Sequence, residues 1–147
     1  MDVTAKVQAR LLSERLKTRL SHCLEFMGVG VIVQRNGIIK FVNSALLTVF
    51  DIKNSDEIVG TQFFDHVFPG DVEVVLWRQQ QLMAGAVLPS FWLSYVRHDG
   101  QVFKALTSST VIEWEGERHI LSTVTPPTMM HFWHRNLRKP TVTLKAF

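Results

Sequence analysis

Hydrophobic and polar positions alternate with a period of two around the Asn36-Gly37 pair, which lies between two short apolar runs. Asn and Gly both tolerate positive φ, so this pair predicts the tight turn of a two-residue β-hairpin. In the second run Lys40 separates Ile39 from Phe41, which predicts that the two apolar side chains face the same side of a sheet.

The period changes to three or four residues in other stretches. Residues 2–27 carry apolar side chains at helical spacing without an interrupting Pro or Gly, which predicts one long helix. A second helix is expected directly after Asn43, a residue type that caps helix N-termini, and a third over residues 72–84. The expected buried face of the third helix consists of Val74, Val75, Trp77 and Leu82.

From residue 90 onward the period is again two, and three strands are predicted over residues 91–97, 101–112 and 117–124. The order is therefore two strands, then helices, then an antiparallel meander. This order is typical of an α+β fold in which helices lie on one face of a five-stranded antiparallel sheet.

The charges are distributed unevenly along the 147 residues. The first 117 residues carry 11 basic and 13 acidic side chains, whereas all five charged residues after Glu117 are basic. We therefore divide the chain into a flanking dimerisation helix (1–27), a near-neutral domain (28–125) and a basic tail (126–147). A near-neutral domain argues against nucleic-acid binding.

The sequence lacks the features that would indicate a membrane protein, a secreted protein or an enzyme. No apolar run approaches the roughly 20 residues of a membrane-spanning helix, and the charged N-terminus has no signal-peptide core. The one cysteine, Cys23, has no partner for an internal disulfide and is expected to pack partly buried. A cytoplasmic protein is predicted. Because no hydrolase, phosphate-loop or dinucleotide motif occurs, no enzyme activity is expected.

Five short motifs occur in the order and at the spacing of PAS domains, over about residues 24–125. They are Asn36-Gly37 with the following Ile-Ile-Lys-Phe-Val-Asn43, Ile58-Val59-Gly60-Thr61, Phe68-Pro69-Gly70-Asp71, Arg97-His98-Asp99-Gly100 and Trp114-Glu115-Gly116-Glu117. The chain therefore resembles a PAS domain. It departs from the family's pattern at residues 125–127, where Thr-Pro-Pro replaces the closing Asp-Ile-Thr.

The resemblance implies a sensory module of signal transduction that forms a homodimer through its N-terminal helix. We expect the interface at Leu12, Leu16, Leu20 and Leu24. The output is expected to pass to a partner protein or to an effector domain in another chain.

The resemblance also implies a ligand site between the sheet and the middle helices, and an apolar pocket with a few polar groups is typical of such sites. The candidate lining residues are Phe41, Phe50, Phe64, Phe68, Trp77, Ser94 and Thr107. The alternative is that the aromatic side chains fill the core. The chain would then be a protein-interaction adaptor that docks a partner on its exposed sheet face and on apolar residues 129–133.

No tightly bound cofactor is expected, although a haem- or flavin-bound redox or gas sensor is a second alternative. The predicted third helix contains no histidine to bind haem iron, which leaves His66 as the haem-ligand candidate. A flavin would stack on Trp77 and Trp92. Flavin photochemistry of the LOV type requires a cysteine inside the domain, whereas Cys23 precedes it. No other metal site is expected.

Overall fold

The computed structural model describes residues 3–127, except for the side chains of Val3, Ser13, Leu16 and Lys17; the predicted basic tail from residue 128 on, with its apolar cluster, lies outside this range. The chain begins with α1 (Val3–Glu25), β1 (Gly30–Arg35), β2 (Ile38–Val42) and α2 (Ser44–Phe50). Three 3₁₀ turns (Ser55–Glu57, Phe63–His66, Pro69–Asp71) lead to α3 (Val72–Met83), and β3 (Phe91–Val96), β4 (Val102–Trp114) and β5 (Glu117–Thr125) follow.

The five strands form one antiparallel sheet in the order β2-β1-β5-β4-β3. Asn36 and Gly37 close the first hairpin with φ values of 53° and 83°, as the sequence predicts. Helices α2 and α3 and the turns between them cover one face of the sheet. The predicted α+β class is therefore confirmed.

Helix α2 packs directly on β1 because Gly30 has no side chain there. A Cβ atom at Gly30 would lie 3.1 Å from Leu46 Cδ1 and 3.2 Å from the carbonyl oxygen of Val124. The predicted cap of α2 is also present, since Asn43 Oδ1 accepts a hydrogen bond from the amide of Leu46 at 3.0 Å.

Aromatic rings fill the space between the sheet and α2. The ring of Phe50 meets Tyr95 edge-on, with centroids 5.6 Å apart, and Phe103 in the same way at 5.2 Å. Phe63 packs edge-on against Tyr95 from the neighbouring turn. This part of the core is therefore closed by aromatic packing.

A second, smaller core lies on the opposite face of the sheet, beneath the last turns of α1. Leu24 is only 4% exposed and packs against Val31, Val33 and Trp114. Leu20 and Phe41 pack at its margin, where the rings of Phe41 and Trp114 have centroids 5.4 Å apart.

The prediction that Ile39 and Phe41 face the same side is wrong, because β2 contains a bulge. Val33 pairs with Phe41, whereas the next residue of β1, Gln34, pairs with Ile39. Lys40 is therefore an extra residue in the ladder, and an extra residue reverses the alternation beyond it. Ile39 joins the core under the helices, and Phe41 joins the core under α1.

Most of α1 extends away from the domain. Every side chain described between residues 4 and 19 is exposed, including Val7, Leu11 and Leu12. Cys23 is also exposed, which contradicts its predicted packing, because α1 buries the neighbouring Leu24 against the sheet instead. Within residues 3–127, no helix combines the length and apolar character needed to cross a membrane.

Candidate ligand site at the α3–sheet cleft

Helix α3 turns an arginine towards the sheet. Its buried residues are Val75, Arg78 and Leu82, at helical spacing. Trp77 is 54% exposed and Val74 is also exposed, so the predicted burial of these two residues is wrong. The reason is that the helix is rotated to bury residue 78, which leaves positions 74 and 77 on its solvent side.

Arg78 is buried and has no acidic partner in the part of the chain that the structure describes. Its side chain is 8% exposed, and its Cζ lies 3.9 Å from the centroid of the Phe91 ring. Nη2 donates a hydrogen bond to the carbonyl oxygen of Pro89, but Nε has no acceptor among the described residues. Burial lowers the pKa of Arg78. The guanidinium is thus desolvated, and no carboxylate within residues 3–127 compensates its charge.

A cavity of about 20 Å³ lies beside Arg78, between α3 and the sheet. Gln34 borders it and is 2% exposed, and its Oε1 accepts no hydrogen bond from the described residues. On the sheet floor the hydroxyls of Ser109 and Ser122 are 2.7 Å apart and hydrogen-bonded. We call this space the inner cavity; its size suits a single water molecule.

A larger cleft of about 230 Å³ opens towards solvent next to the inner cavity. We call it the outer cleft. Gln34, Gln79 and Ile120 line both spaces and form the wall between them. The buried Nε2 atom of Gln79 also lacks an acceptor among the described residues. The other residues of the outer cleft are Arg35, Asn36, Leu76, Gln80, Met83, Arg118 and His119.

The residues described around the outer cleft include two arginines and no carboxylate. One of these arginines, Arg35, forms an ion pair with Glu117 at the margin. Arg118 donates a hydrogen bond to the carbonyl oxygen of Met83 at 3.1 Å, which ties β5 to the end of α3. Burial, followed by the charges of Arg35 and Lys40, lowers the pKa of His119, although Glu115 opposes this effect.

Three of the seven predicted pocket residues lie between the sheet and the helices. Phe50 is fully buried among aromatic rings, and Phe64 packs beside it half-buried. Thr107 lines the inner cavity and is hydrogen-bonded to the hydroxyl of Tyr95 at 2.7 Å. Of these three, only Thr107 lines the inner cavity or the outer cleft.

The other four predicted pocket residues lie elsewhere. Phe41 faces the opposite side of the sheet because of the bulge, and Trp77 faces solvent. Phe68 is exposed, since it precedes the turn Pro69–Asp71 and only its backbone reaches β3, at Ser94. Ser94 alternates with the inward-facing Leu93 and Tyr95, so its side chain lies on the opposite face.

The residues proposed to bind a cofactor line neither the inner cavity nor the outer cleft. His66 Nε2 is hydrogen-bonded to Thr61 Oγ1 at 2.9 Å, and its ring packs edge-on against Phe50. Trp77 and Trp92 are both exposed and line neither cavity. Within residues 3–127, no three His, Cys, Asp or Glu side chains are arranged to hold a metal ion.

Sequence reasoning missed Gln34 and Arg78. Both are polar residues at positions where the hydrophobic periodicity of the sequence predicts a buried side chain. Arg78 lies three residues after Val75 and four before Leu82, and Gln34 directly follows an apolar run of β1. A polar side chain placed by periodicity in a core requires partners, so such positions are candidates for ligand contacts.

Comparisons with known proteins identify the fold. No protein-family model matches the sequence, and no curated protein is significantly similar to it. The PAS domain of an HTR-like protein from Haloarcula marismortui has a TM-score of 0.59 at 23% identity, covering 83% of this chain and 98% of that one. A PAS domain from a two-component sensor histidine kinase has a TM-score of 0.61 at 16% identity, covering 78% of this chain and 98% of that one.

A third similar structure is the PAS domain, in complex with ethanol, of a LuxR-family transcriptional regulator from Burkholderia thailandensis. Its TM-score is 0.59 at 15% identity, and the match covers 73% of this chain and 96% of that one. These likenesses define the class of fold as that of PAS domains. The chain is a PAS domain in fold, preceded by the extended helix α1, as its motifs predict.

Proposed function

We propose that this chain is a sensory signalling module that pairs with a second copy through α1. It responds to a small ligand in the cleft between α3 and the sheet and passes the response to a partner protein or to an effector domain in another chain. The observation that carries the proposal is a continuous connection from this cleft, through β1 and Asn43, to the end of α1.

The connection begins at Gln34 and ends at Leu24. Gln34 borders both cavities from β1, and three residues earlier in the same strand the amide of Val31 donates to Asn43 Oδ1 at 2.9 Å. Asn43 Nδ2 in turn donates to the carbonyl oxygen of Leu24 at 2.9 Å. A displacement of β1 is therefore transmitted by hydrogen bonds to α1.

A second contact reinforces this junction. Glu25 Oε1 accepts hydrogen bonds from the amide of Ser44 at 2.8 Å and from its hydroxyl at 2.9 Å. The last two residues of α1 are consequently held to the N-cap and the first residue of α2. Such a junction can carry two alternative packings of α1, and a ligand that binds one packing more tightly shifts the population towards it.

Exposed apolar side chains on α1 support pairing with a second copy. Val7, Leu11 and Leu12 are exposed on a helix of 23 residues, which is about 35 Å long. Because apolar stripes on two such helices bury each other in a coiled coil, an identical partner is a suitable occupant. Leu24, which was also predicted for this interface, is instead buried against its own sheet, and Leu20 packs half-buried at the edge of the same core. The side chain of Leu16 lies outside the described set, and its role stays a prediction.

Two further observations support a small-ligand sensor. A structure with the same fold holds ethanol, and this chain has an outer cleft of about 230 Å³. We also propose a cytoplasmic location, because a lone exposed cysteine suits a reducing compartment.

Light scattering on the full chain tests the pairing. We expect a dimer for the wild type and a folded monomer for the double variant Val7→Asp, Leu11→Asp, because both residues are exposed on the extended part of α1. Val87→Asp is the control, since Val87 is exposed in the loop after α3. A dimer of unchanged mass in the double variant, or a monomeric wild type, would contradict pairing through α1.

A nitroxide on Cys23 tests the response. Cys23 is exposed one residue before Leu24, and it is the only cysteine of the chain. We expect the distance between the two labels of a dimer to change when the cleft is occupied. If occupancy of the cleft leaves this distance unchanged, the sensory proposal fails and the adaptor alternative is favoured.

A further inference from the structure

We propose that the ligand of the α3–sheet cleft is a small hydroxycarboxylic acid whose carboxylate binds Arg78 and Gln79 and whose hydroxyl binds Gln34. This inference deepens the proposed function, on which it rests, by naming the chemical class of the ligand. Its basis is the set of buried hydrogen-bonding atoms around the inner cavity that have no partner among the described residues.

The charge of Arg78 favours an anionic ligand. A buried charge without a counter-charge is strongly unfavourable, and the described residues supply no carboxylate to the guanidinium. Nη2 is already used at Pro89, and the ring of Phe91 covers one face of the group. The unpaired Nε–H is thus the position at which a ligand carboxylate would accept a charge-assisted hydrogen bond.

The remaining unpaired atoms define the rest of the ligand. Gln79 Nε2 is a donor and suits the second carboxylate oxygen, whereas Gln34 Oε1 is an acceptor and requires a donor from the ligand. A hydroxyl provides that donor without adding charge. An ammonium group is disfavoured, because the linings of both spaces contain no carboxylate to receive it and Arg78 would repel it.

The geometry gives the ligand a route. The inner cavity holds one water-sized group, and the outer cleft is about 230 Å³. Gln79 forms part of the wall between them and is itself half-buried, so rotation of its side chain would join the two spaces. Leu76 and Met83, both exposed on the rim, provide apolar surface for a short carbon chain.

Three matched compounds separate the contributions of charge and hydroxyl. They are 3-hydroxybutanoate, butanoate, which lacks the hydroxyl, and butane-1,3-diol, which lacks the carboxylate. Titration of the ¹⁵N-labelled full chain is followed at the side-chain Nε–H signal of Arg78. We expect 3-hydroxybutanoate to shift this signal saturably and butanoate to bind about tenfold more weakly, which corresponds to one lost hydrogen bond. The diol is expected to leave it unchanged.

Equal effects of the three compounds, or no saturable shift with 3-hydroxybutanoate, would overturn the ligand class. This comparison uses the wild-type protein alone and does not depend on the folding of any variant.

Variants then assign the role of Arg78. Isothermal titration calorimetry measures binding in variants that lack the Arg78 signal. Arg78→Met is expected to weaken binding of 3-hydroxybutanoate by about 100-fold, and Arg78→Lys, which keeps the charge but lacks the Nε–H, by about tenfold. Arg97→Met is the matched control. Arg97 also lies over a phenylalanine ring, 5.1 Å from the centroid of Phe103, and its Nε also lacks a partner, but it lines neither cavity.

An equal loss in Arg97→Met and Arg78→Met would show that the effect is not local and would overturn the site. The label on Cys23 separates this inference from the proposed function. Saturable binding at Arg78 without a change in the Cys23–Cys23 distance supports the ligand class and contradicts the sensory response. Loss of the dimer in the Val7→Asp, Leu11→Asp variant without any carboxylate binding supports pairing and overturns the ligand class.

Discussion

Asn43 Nδ2 donates a hydrogen bond to the carbonyl oxygen of Leu24 across 2.9 Å, so the junction between the first hairpin and α2 holds the end of α1. The same amide group donates to the carbonyl oxygen of Val29 and accepts from the amides of Val31 and Leu46. One fully buried side chain therefore satisfies backbone groups of α1, β1 and α2 together.

Replacing Asn43 with alanine should lower the free energy of unfolding by about 3 kcal/mol, because several buried backbone groups lose their partner at once. Urea denaturation measures this change. Asn54→Ala is the matched control: Asn54 caps the turn Ser55–Glu57, but it is exposed. Its replacement should cost about 1 kcal/mol or less. Equal losses in the two variants would contradict the role of Asn43 as a junction.

Alanine substitution of two leucines of α1 should lower the free energy of unfolding by different amounts, although both leucines were predicted to form the dimer interface. Leu24→Ala should cost about 2–4 kcal/mol, because it leaves a cavity over Val31 and Trp114. Leu12 is 58% exposed, so Leu12→Ala should stay within about 0.5 kcal/mol of the wild type when measured on the monomeric Val7→Asp, Leu11→Asp background. Chemical denaturation with tryptophan fluorescence measures both; a small effect at Leu24 would mean that α1 does not pack on the sheet.

The hydroxyls of Tyr95 and Thr107 form a buried pair at 2.7 Å. Burial raises the pKa of Tyr95, and the phenol stays protonated as a donor or acceptor. We expect Tyr95→Phe to cost about 1–2 kcal/mol and the double variant Tyr95→Phe, Thr107→Val to cost less than the sum of the two single variants, because no unpaired hydroxyl remains. A double-mutant cycle measures this coupling, and strict additivity would show that the two groups act independently.

Stability should decrease on mild acidification. Burial lowers the pKa of His66 below 6.5, with Asp65 opposing the shift, so the unfolded chain binds the proton more tightly than the folded one. The free energy of unfolding should therefore fall as the pH decreases from about 6.5 towards the folded pKa of His66, below which the full loss is reached. His66→Gln should make this dependence shallower in urea denaturation at several pH values.

His119 is expected to contribute to the same pH dependence, since burial and the charges of Arg35 and Lys40 lower its pKa too. The free energy of unfolding of the double variant His66→Gln, His119→Gln should thus vary less with pH than that of either single variant. If the wild type is equally stable across this range of pH, neither imidazole is kept neutral by folding.

The local elements of the fold were predictable because local chemistry dictates them. The positive φ of Asn36 and Gly37 and the cap at Asn43 depend only on residue type and immediate neighbours. The alternation of the meander and the order of elements then suffice for the α+β class. Thr107 was the one predicted pocket residue that borders a cavity, because an inward polar position on a strand is visible in its alternation.

The candidate site itself was not predictable in this way. Because of the bulge at Lys40, Phe41 lies on the face of the sheet opposite to the predicted pocket. The local sequence pattern does not indicate that this strand contains an extra residue. Which face of α3 is buried depends on its rotation against β3 and β4, and this rotation selects Arg78 over Trp77.

The hairpin, the helix cap, the order of elements and the apolar stripe of α1 follow from residue types alone, because turn chemistry and periodicity act over a few residues. Tertiary packing selects which aromatic rings close the core, and it buries Leu24 of α1 while Leu12 stays exposed. The same packing brings Gln34 and Arg78 to one cavity. These outcomes depend on packing between elements distant in sequence, where side-chain volume and the pairing of buried polar groups select one arrangement.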